Sequence, residues 1–396
     1  MENKSRKCII YGAGFFGEYI QEAVCEYGYE IVAYCDVRRR GKLGTHEILS
    51  VERAIQICEQ DEDVDIIIGV KTITILKEIE EIIKNRFPKK TSYKFGMNIY
   101  SDIQERQLAE YYKNMSYKWD VNLKDEFLLW IDNIYTEIEY WVKDVADIRG
   151  VSNVHNERCR NNHLFSHHLL AESLEEGNIV LDIGCGLVSP FGEILPNGKR
   201  VHLIPVDALA SYYNRINACI NDGKKEDYEC HFGMFEFMAY IFAENYADAI
   251  IINNALDHCI DPFRSLVECL FVLKENGELH LSHRRAEAVY EKWSGLHRWN
   301  IDYIEEKLVF WNKENAININ DILSDYVDIN ITYNDVLERE EQNIRVKITK
   351  KKSFSLREFV DVESDANILA ACVKTLMEKQ AKDCVYFETL LTDARF

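Results

Sequence analysis

Twice in this chain an apolar run breaks into a glycine turn, and each time the next apolar run ends in an aspartate about twenty residues later. The first case is Ile10-Tyr-Gly-Ala-Gly-Phe-Phe-Gly17, followed by Ile31-Val-Ala-Tyr-Cys35 and Asp36, 19 residues beyond Gly17. The second is Val180-Leu-Asp-Ile-Gly-Cys-Gly186, followed by His202-Leu-Ile-Pro-Val206 and Asp207, 21 residues beyond Gly186. A turn without Cβ atoms lets a ligand approach the backbone closely, and a carboxylate at the end of the neighbouring strand can accept both hydroxyl protons of a ribose. Two such patterns predict two α/β units, each with a mainly parallel sheet. The length of 396 residues agrees, since single cores stop growing at roughly 250–300.

Composition narrows the class. With 47% hydrophobic residues, 22 Tyr, 18 Phe and only 5 Pro, the chain is globular rather than disordered or fibrous. The net charge of −20 would repel a phosphate backbone or an anionic membrane, so nucleic acid is excluded as a first expectation. Residues 1–120 hold 18 basic and 20 acidic residues, which leaves −18 on the remainder. The 12 Cys include no Cys-x-x-Cys pair and suit a reducing cytoplasm. The start Met1-Glu-Asn-Lys-Ser-Arg-Lys leads straight into a strand-like run, and no stretch of about 18 apolar residues follows, so neither a signal peptide nor a membrane span is expected.

Periodicity sets the expected organisation. Strands at Lys7–Tyr11, Glu30–Cys35, Val64–Val70 and Tyr93–Ile99, with helices at Glu18–Tyr27, Val51–Glu59 and Ile73–Arg86, give a first sheet of four or five strands. Apolar positions at helical spacing from Phe127 to Val145 predict one long helix over 123–149, whose aromatic face serves either as an interdomain core or as a homodimer surface. A His/Asn-rich stretch, Ser152–Asn162, leads into a helix near His163–Leu174. Seven further strands follow: Ile179–Ile183, Arg200–Val206, Tyr228–Phe232, Ala249–Asn253, Gly277–Ser282, Tyr326–Thr332 and Asn343–Lys350. The tail carries a helix near Asn367–Lys379. Four segments result: a nucleotide-binding unit at 1–120, a helical connector and lid at 121–175, a seven-stranded domain at 176–351 and a helical tail at 352–396.

With Leu181-Asp-Ile-Gly-Cys-Gly186 in place, the second series resembles the class I S-adenosylmethionine (SAM)-dependent methyltransferases. The resemblance implies a seven-stranded sheet with SAM across the carboxyl ends of its strands, so that the fold is α/β with two Rossmann-like domains joined by a helical connector. It would place Asp182, Gly184 and Gly186 beside the methionine part of SAM and Asp207 on its ribose. Gly233-Met-Phe-Glu236, including Met234 and Phe235, would border the adenine, while Asn253 and Asn254 face the sulfonium. More narrowly, Leu203–Tyr213, Asn253–Pro262 and Gly295-Leu-His-Arg-Trp-Asn300 resemble methyltransferases of bacterial surface-polysaccharide biosynthesis, which implies a sugar or nucleotide-linked sugar as the acceptor.

Methyl transfer from a sulfonium needs an in-line nucleophile in a dry, oriented site, and an unionised sugar hydroxyl also profits from a base. His258 just past the fourth strand, His283 just past the fifth, and His297 in the following loop are the candidate bases, each also readable as a packed or surface residue. Arg284, Arg285 and Arg298 flank them and would either grip a phosphate or carboxylate or remain solvated. His163-x-x-x-His167 with His168 has metal-ligand spacing, but no Glu follows in the His-Glu-x-x-His pattern, and no metal is expected.

The first turn, with Gly12, Gly14, Phe15, Phe16, Gly17 and Asp36, meets the context of a dinucleotide fingerprint and allows NAD. It also resembles the small N-terminal domain of sugar acyltransferases of the sialic-acid O-acetyltransferase type, a likeness that Gly41-Lys-Leu-Gly44 extends and that implies a UDP-sugar-type nucleotide. A purely structural unit fits these residues as well. Three function classes stay open: a methyltransferase acting on a sugar held through its nucleotide, an NAD-dependent oxidoreductase or bifunctional enzyme, and a non-catalytic nucleotide-binding protein.

Overall fold

The computed structural model describes residues 6–70, 72–148, 164–165, 167–220, 229–333 and 343–393. The stretch Ser152–Asn162, His163 and Tyr228 lie outside the described residues. The chain divides into two compact units, residues 1–114 and 115–396.

In the first unit, strands β1 (Arg6–Tyr11), β2 (Tyr29–Cys35), β3 (Gly41–Leu43), β4 (His46–Leu49), β5 (Val64–Ile68) and β6 (Tyr93–Phe95) form one sheet in the order β3-β4-β2-β1-β5-β6. All neighbours are parallel except the β3–β4 hairpin. The sheet therefore has six strands, not four or five, because the short hairpin after the basic turn adds two that periodicity cannot register. The expected strand Tyr93–Ile99 stops at Phe95. There the chain turns into the helix Gly96–Asn114, which begins where a Cβ on Gly96 would stand 2.3 Å from Ile20 and 2.9 Å from the Ile68 carbonyl. The helix expected over Glu18–Tyr27 is two short ones, Phe15–Tyr19 and Gln21–Glu26, that meet at Ile20.

The second unit contains β7 (Ile179–Ile183), β8 (His202–Asp207), β9 (His231–Phe232), β10 (Ala247–Asn253) and β11 (Leu273–Arg284). A separate three-stranded meander, β12 (Asn300–Ile304), β13 (Lys307–Trp311) and β14 (Ala316–Asn318), precedes β15 (Val327–Tyr333) and β16 (Asn343–Lys350). The main sheet runs β15-β16-β11-β10-β7-β8-β9, with β16 antiparallel to both of its neighbours. Strand order reverses between β7 and β10, so the crevice at the carboxyl ends of these two strands is where an open α/β sheet takes its ligand. The meander was not foreseen: Leu308 to Trp311 are all buried, and such a run has no alternating signature.

The helix Leu123–Ile148 belongs to this unit, and its apolar face is used there. Phe127, Trp130, Ile131, Ile134 and Ile138 pack with Leu187, Tyr212, Tyr213 and Leu296. The C-terminal helix, Val362–Asp393, is longer than the expected Asn367–Lys379 and adds Cys372 and Leu376 to the same cluster. The helix Pro262–Val272, buried except at Phe271, is started by Asp261, whose carboxylate accepts the Arg264 amide at 3.0 Å, with Pro262 at its first position. Of the expected helix near His163–Leu174, the described part is the single turn His168–Ala171, capped by His167. No described helix is long and apolar enough to cross a membrane.

Candidate active site

A cavity of about 650 Å³ opens over the carboxyl ends of β7, β8 and β10. Its walls include all eight residues expected to hold the cofactor: Asp182, Gly184, Gly186, Asp207, Met234, Phe235, Asn253 and Asn254. The volume falls in the range of small-molecule and cofactor sites.

The glycine turn is held against β8 by the amides of Gly184 and Cys185, which donate to the Val206 carbonyl at 2.8 and 3.3 Å. Gly184 and Gly186 have φ of +73° and +65°, a region that L side chains rarely adopt. A Cβ on Gly184 would stand 2.4 Å from that of Ala255 and 3.0 Å from the Phe235 ring, and one on Gly186 would stand 2.9 Å from the Trp141 indole. The turn is thus a cradle that side chains would fill. Asp207 accepts the Gly186 amide at 3.1 Å through Oδ2 and the Leu209 amide at 2.8 Å through Oδ1. Each oxygen keeps a lone pair for a further donor. Burial lifts the Asp207 carboxyl to about 6 against the pull of these two amides.

The three candidate histidines converge on a residue that the sequence reading did not single out, Asp257. Its carboxylate is fully buried, and it takes His283 Nε2–H on Oδ1 at 2.9 Å and His297 Nδ1–H on Oδ2 at 2.7 Å. His258 Nε2 lies 3.1 Å from His297 Nδ1 and 3.6 Å from Asp257 Oδ2, while His258 Nδ1 lies 3.8 Å from Glu137 Oε2. His258, His297 and Glu137 line the cavity. Although burial works against it, the charge of His258 and His283 holds the Asp257 carboxyl well below the ordinary range. Burial likewise opposes charge on His297, but Asp257 outweighs it and lifts the imidazole to about 9.

His283 sits differently from what its sequence position implies. Its side chain is wholly buried, and its Nδ1–H donates to the Arg284 carbonyl at 2.6 Å. With a carboxylate on the other nitrogen, both nitrogens carry protons, which agrees with a pKa that Asp257 raises in spite of burial. A doubly engaged imidazolium behind the wall orients Asp257 rather than meeting a substrate.

The flanking arginines are paired with acids. Arg285 Nε lies 3.3 Å from Asp302, Arg298 Nη2 lies 2.7 Å from Glu126, and Arg284 Nη1 lies 3.4 Å from Glu287. Of the three only Arg284 lines the cavity, beside Glu137, Glu287 and Glu291, so the arginines stand neither as a free anion clamp nor as merely solvated side chains. Three further lining residues fix the site's backbone and side chains. Trp130 Nε1–H donates to the His258 carbonyl at 2.9 Å, Trp141 Nε1–H donates to Glu137 at 2.7 Å, and the buried Glu236 accepts the amides of Ile260 and Asp261 at 2.5 and 3.2 Å, fixing the loop after His258. Only Asp257 had a local signal, the acid directly before His258.

In the first unit, Gly12 and Gly17 are required by packing: a Cβ on Gly12 would stand 2.7 Å from the Gly69 carbonyl, and one on Gly17 would stand 1.9 Å from that of Gly12. Gly14 faces open space. Asp36 accepts the amides of Ala13, Arg38 and Arg39 at 3.1, 2.8 and 2.9 Å, and Arg39 Nη1–H returns to the Ala13 carbonyl at 2.7 Å. Burial alone would raise the Asp36 carboxyl, but these amides hold it below its ordinary value. The Phe15 ring is exposed and stacks on Tyr19, whereas the Phe16 side chain is buried in the core.

Residues 181–281 match the family profile described as a methyltransferase domain. Among solved structures, the N-methyltransferase NodS from Bradyrhizobium japonicum, determined with S-adenosyl-L-homocysteine, aligns at 14% identity and a TM-score of 0.34, over 56% of this chain and 100% of its own. A SAM-dependent methyltransferase from Methanosarcina mazei aligns at 15% identity and a TM-score of 0.30, over 48% and 100%. No curated protein matches the chain. The profile match runs from β7 into β11, the strands that carry the glycine turn, Asp207 and the cavity, and with the strand order it defines a class I SAM-dependent methyltransferase domain. The chain accordingly carries a SAM-dependent methyltransferase domain.

Proposed function

We propose that this methyltransferase acts on a hydroxyl of a sugar or nucleotide-linked sugar, in the assembly of a surface glycan. The observation that carries the reading is the cavity wall itself, where Glu137, Glu287, Glu291, His258 and His297 stand beside the rings of Trp130, Tyr140 and Trp141. Carboxylates and imidazoles accept hydroxyl protons, and aromatic faces pack against the C–H face of a pyranose. The same wall disfavours an acceptor whose reacting end is anionic.

In this reading, Gly184 and Gly186 admit the methionine part of the cofactor, Asp207 takes the ribose hydroxyls, and Met234 and Phe235 flank the base. Bound SAM supplies an electrophilic methyl. The protein's share is to orient the acceptor oxygen, to exclude water with Trp141, and to withdraw the hydroxyl proton at a lining base, His258 or Glu137. The first unit serves as a separate nucleotide site, read from Gly12, Gly14, Gly17 and Asp36 with the cationic Arg38, Arg39 and Arg40 beside them.

The test is incubation with methyl-labelled SAM and a panel of UDP-, GDP-, CDP- and TDP-sugars, followed by mass spectrometry. A labelled methyl ether on a sugar supports the reading; label that appears only on amines, or on no hydroxyl acceptor, overturns it. Calorimetry of the full chain with the same panel and with NAD(H) tests the first unit, where heat only with NAD(H) would favour a redox partner activity.

A further inference from the structure

We propose that Asp257, His258 and His297 form a divalent-metal site of the first-row transition series, with its open coordination position toward the cavity. Three ligand atoms, Asp257 Oδ2, His258 Nε2 and His297 Nδ1, face one another at 2.7, 3.1 and 3.6 Å. A tetrahedral cation with bonds of roughly 2.0–2.1 Å spaces its ligands at roughly 3.3 Å, so a shift of a few tenths of an ångström seats the ion among them.

The outer shell has the form such sites take. Asp257 Oδ1, the oxygen turned away from the cluster, is held by His283 Nε2–H at 2.9 Å. His258 Nδ1, its remote nitrogen, faces Glu137 Oε2 at 3.8 Å, which favours the tautomer with a lone pair on Nε2. The backbone is fixed as well, since Trp130 holds the His258 carbonyl at 2.9 Å and the Arg298 amide donates to the Asp257 carbonyl at 3.3 Å. Without an ion, His258 Nε2 and the Nδ1–H of His297 meet over a single carboxylate oxygen; a cation takes the place of the Nδ1 proton, which leaves to solvent, and is then held by all three atoms at once.

Two imidazoles and one carboxylate select Zn²⁺, Co²⁺, Mn²⁺ or Fe²⁺ over Mg²⁺, which prefers oxygen ligands. Three protein ligands with His258 and His297 on the cavity wall leave a position for the acceptor oxygen, whose hydroxyl becomes more acidic on the metal and, as the methyl is transferred, gives its proton to the Glu137 carboxylate on the same wall in place of the metal-bound histidines. The acceptor clause rests on the hydroxyl reading above; metal binding itself does not.

The full-length protein, stripped with a chelator and desalted, is titrated with Co²⁺ and followed by its visible absorption, then with Zn²⁺ by calorimetry. One equivalent is expected to bind and to give the intense bands of a four-coordinate site. His297→Ala, in a partly exposed loop, should weaken binding at least tenfold while leaving SAM binding measurable. Asp257→Asn should weaken it as much, its folding checked by near-UV circular dichroism. Asp182→Ala should lose SAM and keep the metal. Failure of the wild type to bind a stoichiometric metal, or equal binding by His297→Ala, overturns the site. Methyl transfer to a hydroxyl by a protein that binds no Co²⁺ overturns the metal and leaves the acceptor reading standing; Co²⁺ binding without any hydroxyl methylation does the reverse.

Discussion

Single atoms decide much of this site. Asp207 has a folded-state pKa of about 6 against an ordinary 3.8, so the folded chain holds that proton more tightly than the unfolded one. Its ionised form therefore costs stability above about pH 6, and protonation restores it as pH falls toward 3.8. The ribose needs the ionised form, so SAM affinity measured by calorimetry should fall at least tenfold from pH 7.5 to 5. At pH 7.5 the Asp207→Asn variant, whose single oxygen can accept only one of the two amides, should lose at least tenfold in SAM affinity. Glycines divide in the same way. Gly186→Ala meets the Trp141 ring at a φ of +65°, costs about 1–2 kcal/mol in backbone strain and should abolish SAM binding. In the first unit Gly17→Ala collides with the Gly12 carbonyl and should destabilise strongly, whereas Gly14→Ala enters open space and should leave the melting temperature unchanged.

Elements carry what residues alone do not. Lys350, at the end of β16, is fully buried, and its ammonium donates to Asn245 Oδ1, the Phe271 carbonyl and the Leu273 carbonyl at 2.9, 3.3 and 2.6 Å. It fastens the antiparallel strand to the junction of the helix Pro262–Val272 with β11 and to Asn245 before β10. Lys350→Met removes the donor of all three bonds, although Asn245 Oδ1 keeps the Ser353 hydroxyl and the Phe271 carbonyl keeps the Asn245 amide, and should lower stability by about 1–3 kcal/mol in urea denaturation, without changing the residues of the cavity. This scale also shows what the sequence could tell. The strand–turn–acid patterns were legible because every part lies within about thirty residues and each has a local physical reason. The histidine corner was not, since Glu137, Asp257, His283 and His297 come from four separate segments and only folding makes them neighbours. The helix Leu123–Ile148 was legible as a helix from its apolar stripe, but which partner covers the stripe is a property of the tertiary packing.

At the scale of the whole molecule, each unit has a core of its own. Ile9, Tyr11, Ile66 and Ile68 centre one cluster in the first unit, and Leu181, Ile250, Leu279 and Ile348 centre one in the second. Scanning calorimetry should resolve two unfolding transitions, of which SAM raises only one, because a ligand stabilises the unit that binds it. A single transition shifted as a whole would show instead that the units unfold together.

The acidic wall around the cavity bears on turnover as well as on choice of acceptor. Glu137, Glu287 and Glu291 give the chamber a negative potential, and the cofactor enters it bearing a sulfonium cation but leaves it as a neutral thioether. The chamber thereby holds the reactant more firmly than the spent form, a built-in resistance to product inhibition that Glu137→Gln should weaken, bringing the two dissociation constants closer together.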